Sequence, residues 1–161
     1  MDAERLRAFL LTLPNVVETQ QWGNNLVYWV GDKAIGGKMF ALMNLDTLEE
    51  SSPVKKQGVL SFSAGPERFA DLLEIEGCSP APYFARIHWI AAEHWQIFAN
   101  AEWEAHLRHA QSVMRAKLTA RTLASLTLPA SQQKRLIAER RILLAEARPK
   151  KPAAKKQAKQ K

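Results

Sequence analysis

The chain has a single cysteine, Cys78, in 161 residues. No intrachain disulfide can form, so a disulfide-stapled scaffold is excluded and a reducing compartment is expected. No stretch approaches the roughly 18 apolar residues that a membrane span needs. The opening Met-Asp-Ala-Glu-Arg lacks the basic and then apolar pattern of a signal peptide. These absences together predict a soluble, cytoplasmic protein with no membrane partner. There is no Gly-x-Ser-x-Gly elbow, no Walker loop and no dinucleotide fingerprint. Gly36-Gly37-Lys38 invites a phosphate-cradle reading, but the earlier glycine is missing and a strand pattern follows, so a hairpin pair is the simpler account. The expectation is a non-enzymatic protein with no catalytic residues, no cofactor and no bound metal.

What is present is an ordinary globular composition with an uneven charge. Hydrophobic residues make up 47% and charged residues 24%, which suits one folded domain of this length. The formal charge is +7, which by itself suggests a polyanionic partner. Its location matters more than its size. Residues 1–130 carry 12 Lys/Arg against 14 Asp/Glu, whereas residues 131–161 carry 11 against 2. The body is slightly acidic, and the whole basic excess sits in the C-terminal segment from Ser131 onward.

Hydrophobic spacing predicts a first helix capped by Asp2, with Leu6, Phe9, Leu10 and Leu13 on one face, ending at Pro14-Asn15. Leu26–Val30 and Met39–Met43 read as a hairpin, and Val59–Ser63 as a third strand. Residues 48–56 are polar and read as a loop. Gly65-Pro66-Glu67 opens a helix that Gly77 closes, and 79–82 is rigid and extended. Tyr83–Ala92 reads as a fourth strand, placing Arg86, His88 and Ile90 on one face and Ile87 and Trp89 on the other. Asn100 caps a helix over 101–118, and 119–129 is a connector. Ser131 caps a final helix with Leu136, Ile137, Leu143 and Leu144 inward and Lys134, Arg135, Arg140 and Arg141 mainly outward. Strands are clustered rather than alternating with helices. The expected fold is therefore α+β, an antiparallel sheet with helices packed on it. From residue 149 the Lys-rich tail has no large apolar side chain and is expected to be disordered.

Few residues invite chemistry. His106 and His109 stand three apart on a helix, and with Glu102 they could hold zinc. No second Cys or His cluster reinforces this, and solvated helix surface explains them better. Cys78 sits in a turn-like stretch without basic neighbours and reads as a small half-buried residue. Among the five tryptophans, Trp29, Trp89 and Trp103 fit the core, Trp22 beside Gly23 is expected to be partly exposed, and Trp95 has no clear place. Exposed aromatics beside basic groups can stack on bases, but ordinary core or edge packing is the favoured account of them.

Several segments in order resemble the MmcQ/YjbR family: 13–18, Trp22-Gly23, Val30 to Lys33, 37–41, Leu60 to Phe62, the helix around Phe69, and Pro80 to Trp89. The likeness covers about residues 1–125. It implies a compact α+β fold similar to secretion-chaperone-like sheets, and a generic DNA-binding role without established catalytic residues. The family's recurring positions fall on Trp22, Gly37, Lys38, Phe40, Pro82, Tyr83, His88 and Trp89, of which Phe40 and Pro82 are assigned to structure. Lys38, Tyr83, His88 and Trp89 are left as a candidate functional surface, and strand geometry adds Arg86. The chain departs from the pattern around His94–Asn100 and in its basic C-terminus. The expected organisation is a YjbR-like domain over 1–125, an amphipathic basic helix over 126–148, and a disordered tail over 149–161.

The leading expectation is weak, largely non-specific DNA binding. Phosphate contacts would come from Lys134, Arg135, Arg140, Arg141, Lys150, Lys151, Lys155 and Lys156, with the sheet surface adding to them. The alternative is a protein- or small-molecule-binding domain whose basic tail serves solubility, and the acidic balance of the body favours it.

Overall fold

The computed structural model describes residues 1–46 and 58–147. The loop expected at 48–56 and the tail expected at 149–161 lie outside the described residues. Helix α1 spans Ala3–Thr12, and the Asp2 carboxylate caps it by accepting the Arg5 N–H at 2.8 Å. Leu6 and Leu10 are fully buried, one turn apart on the inner face. Strands β1 (Val16–Gln21), β2 (Asn25–Val30) and β3 (Lys38–Asn44) follow, then β4 (Leu60–Ser63). Helix α2 (Pro66–Leu73) comes next, and β5 (Cys78–Pro80) and β6 (Trp89–Ala92) complete the sheet. Its order is β1-β2-β3-β4-β6-β5, with every pairing antiparallel. Helices α3 (Asn100–Ala116), α4 (Ala120–Leu126) and α5 (Ala130–Glu146) end the described chain.

Register sorts the sheet into two faces. Tyr28, Ala41, Phe62 and Ile90 are successive cross-strand neighbours. They meet α1 and α3 through Leu6, Leu10, Trp103, Leu107 and Ala110 in the main core. Trp103 is the keystone of this layer. It meets Phe98 edge-on at 4.9 Å and Phe62 at 6.3 Å, and its indole N–H donates to the Trp95 carbonyl at 3.0 Å. The next row, Thr19, Val27, Leu42, Ser61, Ala91 and Ser79, points the other way. On that open face a smaller cluster forms around Ala81, Trp89 and Ala91, with Met39, Leu42 and Phe84 packed against it.

Several expectations change. Val16–Gln21 is a strand, although the sequence suggested none there. It is a mostly polar edge strand, and the bidentate Arg7–Glu18 ion pair at 2.7 Å ties it to α1. The fourth strand is shorter than expected, because Ala85–Ile87 forms a 3-10 turn and only Trp89–Ala92 is extended. Tyr83 and His88 both take left-handed backbone, φ 65° and 60°, which breaks the alternation assumed for Arg86 to Ile90. The extended 79–82 segment begins with the short edge strand β5, pairing Cys78 to Ala92.

The connector at 119–129 contains α4, capped by Thr119, whose hydroxyl accepts the Thr122 N–H at 3.2 Å. Helix α3 is capped from Ala99 rather than Asn100, and the Glu102 carboxylate accepts the Ala99 N–H at 2.7 Å. Helix α5 starts after Pro129, not Ser131. It buries no residue fully, and Leu143 and Leu144 are exposed rather than inward. The hairpin reading of Gly36-Gly37 holds. Gly36 is left-handed at φ 92°, and a Cβ on Gly37 would collide with the Gly31 carbonyl oxygen.

A cleft on the open sheet face

The β1–β2 hairpin turns through Trp22 and Gly23, both with positive φ (50° and 84°). Asn25 fastens this turn, its side-chain N–H donating to the Trp22 carbonyl at 2.8 Å. That bond fixes the amide orientation and leaves Asn25 Oδ1 buried with no partner among the described residues. Across the open face stands the 81–88 segment. Its turns are closed by Phe84 N–H to Ala81 O at 3.1 Å and His88 N–H to Ala85 O at 3.0 Å. Phe84 packs on Trp89, with ring centroids 5.2 Å apart.

Between hairpin and segment lies a cleft of about 330 Å³. Leu42 and Ser61, cross-strand neighbours of β3 and β4, belong to its lining, with Trp22 and Asn25 from the hairpin and Pro82 to Phe84 from the segment. None of these side chains is charged. Tyr83 is 93% exposed and Trp22 59%.

The structure distributes the candidate residues rather than gathering them. Trp89 is fully buried, so it offers no surface to a ligand. Its neighbours in the strands and in the 81–84 turn cover the indole, and its N–H has no hydrogen-bond partner among the described residues. His88 meets the Phe69 ring edge-on at 5.4 Å, whereas Tyr83 belongs to the cleft. Arg86 is exposed on the 3-10 turn, and Lys38 is half-buried where β3 begins. On α5, Lys134 and Arg135 are exposed and Arg140 half-buried, and Arg135 approaches Glu139 to 3.4 Å. Arg141 instead turns to the body, its guanidinium donating to the Asp32 carboxylate at 2.6 Å. Together with Lys33 and Leu144 it lines a second cleft, of about 380 Å³. Lys150, Lys151, Lys155 and Lys156 lie outside the described residues.

The suspected zinc ligands serve packing. His106 stacks on Phe98 at 4.6 Å and Phe62 at 5.9 Å, so it is not the solvated residue expected. His109 Nε2 lies 3.1 Å from the Ala64 carbonyl, and Glu102 is the α3 cap. Burial pushes the Cys78 thiol up to about 11, which makes it a poor nucleophile at neutral pH.

Sequence reasoning missed Asn25, Leu42, Ser61 and Phe84 as members of a common site. A turn-rich Trp-Gly-Asn-Asn run was the available signal for the hairpin half. No curated protein and no solved structure shows significant similarity to the chain. A family model described as YjbR matches residues 11–111, which run from the end of α1 into α3 and include the whole sheet with its cleft; the chain belongs to the YjbR family.

Proposed function

We propose that this chain is a non-enzymatic DNA-binding protein that contacts duplex phosphates weakly and with little choice of sequence. The main contacts are assigned to α5 and the lysine-rich stretch that follows it. The observation carrying this reading is the way α5 is mounted. Arg141 anchors it to Asp32, and Gln133 donates to the Leu126 and Leu128 carbonyls at 3.0 and 2.9 Å. Lys134, Arg135 and Arg140 are thereby carried on a helix attached to the body, ahead of a segment rich in further lysines. The slightly acidic body would meet a phosphate backbone less favourably, which favours a contact confined to the C-terminal segment from Ser131 onward.

Fluorescence anisotropy with labelled duplex DNA over a salt series tests this. Each neutralised phosphate contributes about −0.9 to the log–log salt slope. Removing residues 149–161 is expected to lower affinity and flatten the slope, and replacing Lys134, Arg135 and Arg140 with alanine is expected to flatten it further. Duplexes of unrelated sequence should bind equally. Unchanged affinity and slope in both variants would reject the reading.

A further inference from the structure

We infer that the outer edge of β1 is an interface between two copies of this chain, which join their six-stranded sheets by antiparallel pairing of β1 with β1. This goes beyond phosphate contact and does not rest on it, since the contact is made by backbone groups of the sheet edge.

The sheet has two edges, and only one is guarded. Strand β5 is three residues long and ends in Pro80, which has no N–H to offer. Strand β1 is six residues long and pairs with β2 over its whole length without a bulge. It contains no proline, lysine or arginine, the residues that usually protect such an edge. Register shows which backbone groups are left over. The Asn15 carbonyl accepts the Gly31 N–H at 2.8 Å, and the alternation continued from there directs the backbone groups of Val17, Thr19 and Gln21 to β2. Val16, Glu18 and Gln20 therefore turn N–H and C=O outward, and no hydrogen bond reaches them on that side among the described residues.

Uncovered apolar side chains border this edge on both faces. Arg7 reaches Glu18 from α1, and Leu11, one turn further along the same side of α1, is 49% exposed. On the opposite face Leu144 of α5 is 53% exposed and shares the second cleft with Thr19 and Gln21. An added strand would lie between these two side chains.

Self-pairing also suits the charges. Glu18 is the one charged side chain of β1, and Arg7 neutralises it at 2.7 Å. With Thr19 opposite Thr19 of the second copy, Glu18 faces Gln20 and Val17 faces Gln21, so no like charges meet. Glu18 and Gln20 are then the hydrogen-bonded positions, and the two-fold relation repeats their bonds in both directions. The rival occupant is the segment after α5. It contains Pro149 and Pro152, which lack the amide donors of a strand, and its lysines would meet Lys33 and Arg141 of the same cleft.

Sedimentation equilibrium of the full-length protein, covering dissociation constants from about 1 μM to about 1 mM, tests this. A concentration-dependent dimer is expected. Gln20→Pro removes an outward amide and no β1–β2 bond, so the far-UV CD spectrum and Tm should hold while dimerisation weakens about tenfold or more, the effect of losing half of the shared hydrogen bonds. Gln20→Glu sets a carboxylate opposite Glu18 of the second copy and should weaken the dimer, whereas Gln20→Lys should tighten it. Thr19→Cys should crosslink under mild oxidation, because opposed residues of a non-hydrogen-bonded pair stand about 4.5 Å apart at Cα, within disulfide reach. A monomer at every concentration overturns the inference. So does a dimer that ignores every Gln20 variant and fails to crosslink at position 19, which would place the contact elsewhere. A dimer that forms only after removal of residues 149–161 would assign the edge to that segment and overturn it as well.

Discussion

Arg141 on α5 donates to Asp32 at 2.6 Å, and the two stand 109 positions apart in the chain. The Asp32 side chain is only 8% exposed, while Arg141 remains 65% exposed. Asp32 also caps the 3-10 turn after β2, accepting the Ala34 N–H at 2.8 Å. One carboxylate thus organises the β2–β3 connection and holds the C-terminal helix to it. Thr122 reinforces the same point, its hydroxyl donating to the Ile35 carbonyl at 3.0 Å.

The two partners should therefore differ in mutational cost. Arg141→Ala leaves the turn intact and removes a partly solvated ion pair, for a loss of about 1 kcal/mol. Asp32→Ala also uncaps the turn and strips a nearly buried acceptor from Arg141, for a loss of about 2–3 kcal/mol. Urea denaturation measures both. Hydrogen exchange adds a local readout: amides of 130–146 should exchange faster in Arg141→Ala, with β2 to β4 unaffected. Equal costs for the two variants would contradict this division of roles.

Tyr83→Gly should stabilise the protein. Left-handed backbone costs a non-glycine residue about 1–2 kcal/mol, and glycine gives back about 0.5–1 kcal/mol in unfolded-state entropy. The ring is too exposed to contribute much packing. The first effect outweighs the second, so a small net gain is expected, visible as a higher denaturation midpoint at an unchanged slope. A clear loss would mean that the ring packs in a way its exposure denies.

His106 makes stability depend on pH. Burial among Phe62 and Phe98 holds its imidazole below the usual histidine range, with Arg68 and His109 acting in the same direction and Glu102 against them. The unfolded chain titrates this group near about 6.5 and so binds more protons than the folded chain below that value. The protein should lose stability as pH falls through about 6.5 toward the depressed folded value, and hold its full stability above it. His106→Phe, close in volume, should flatten the change in Tm between pH 7.5 and 5.5. An identical profile in the variant would remove His106 from the pH response.

Where pattern and packing agree, the fold was readable. The apolar runs of β2, β3 and β4 and the i, i+3, i+4 spacing of α1 and α3 each encode a buried face, and each appears where that spacing put it. Strand β1 escaped because Glu18, Thr19, Gln20 and Gln21 carry no apolar alternation, and the β2 edge supplies its hydrogen bonds. The 83–88 segment was misread because alternating apolar residues look like a strand, while two left-handed residues cannot be seen in composition. The inward side of α5 was misjudged because Arg141 found a buried carboxylate that lies far away in sequence.

By itself the sequence determined the α+β class, the main core and the segregation of charge into an acidic body and a basic C-terminus. These follow from composition and local periodicity, which short-range physics reads directly. Only the tertiary structure decided which residues share a site. Trp22 and Tyr83 lie far apart in the chain, and strand register together with two strained turns brings them to one cleft. Trp89, close to Tyr83 in sequence, is instead covered within the open-face cluster, beneath Phe84 and beside Ala81 and Ala91.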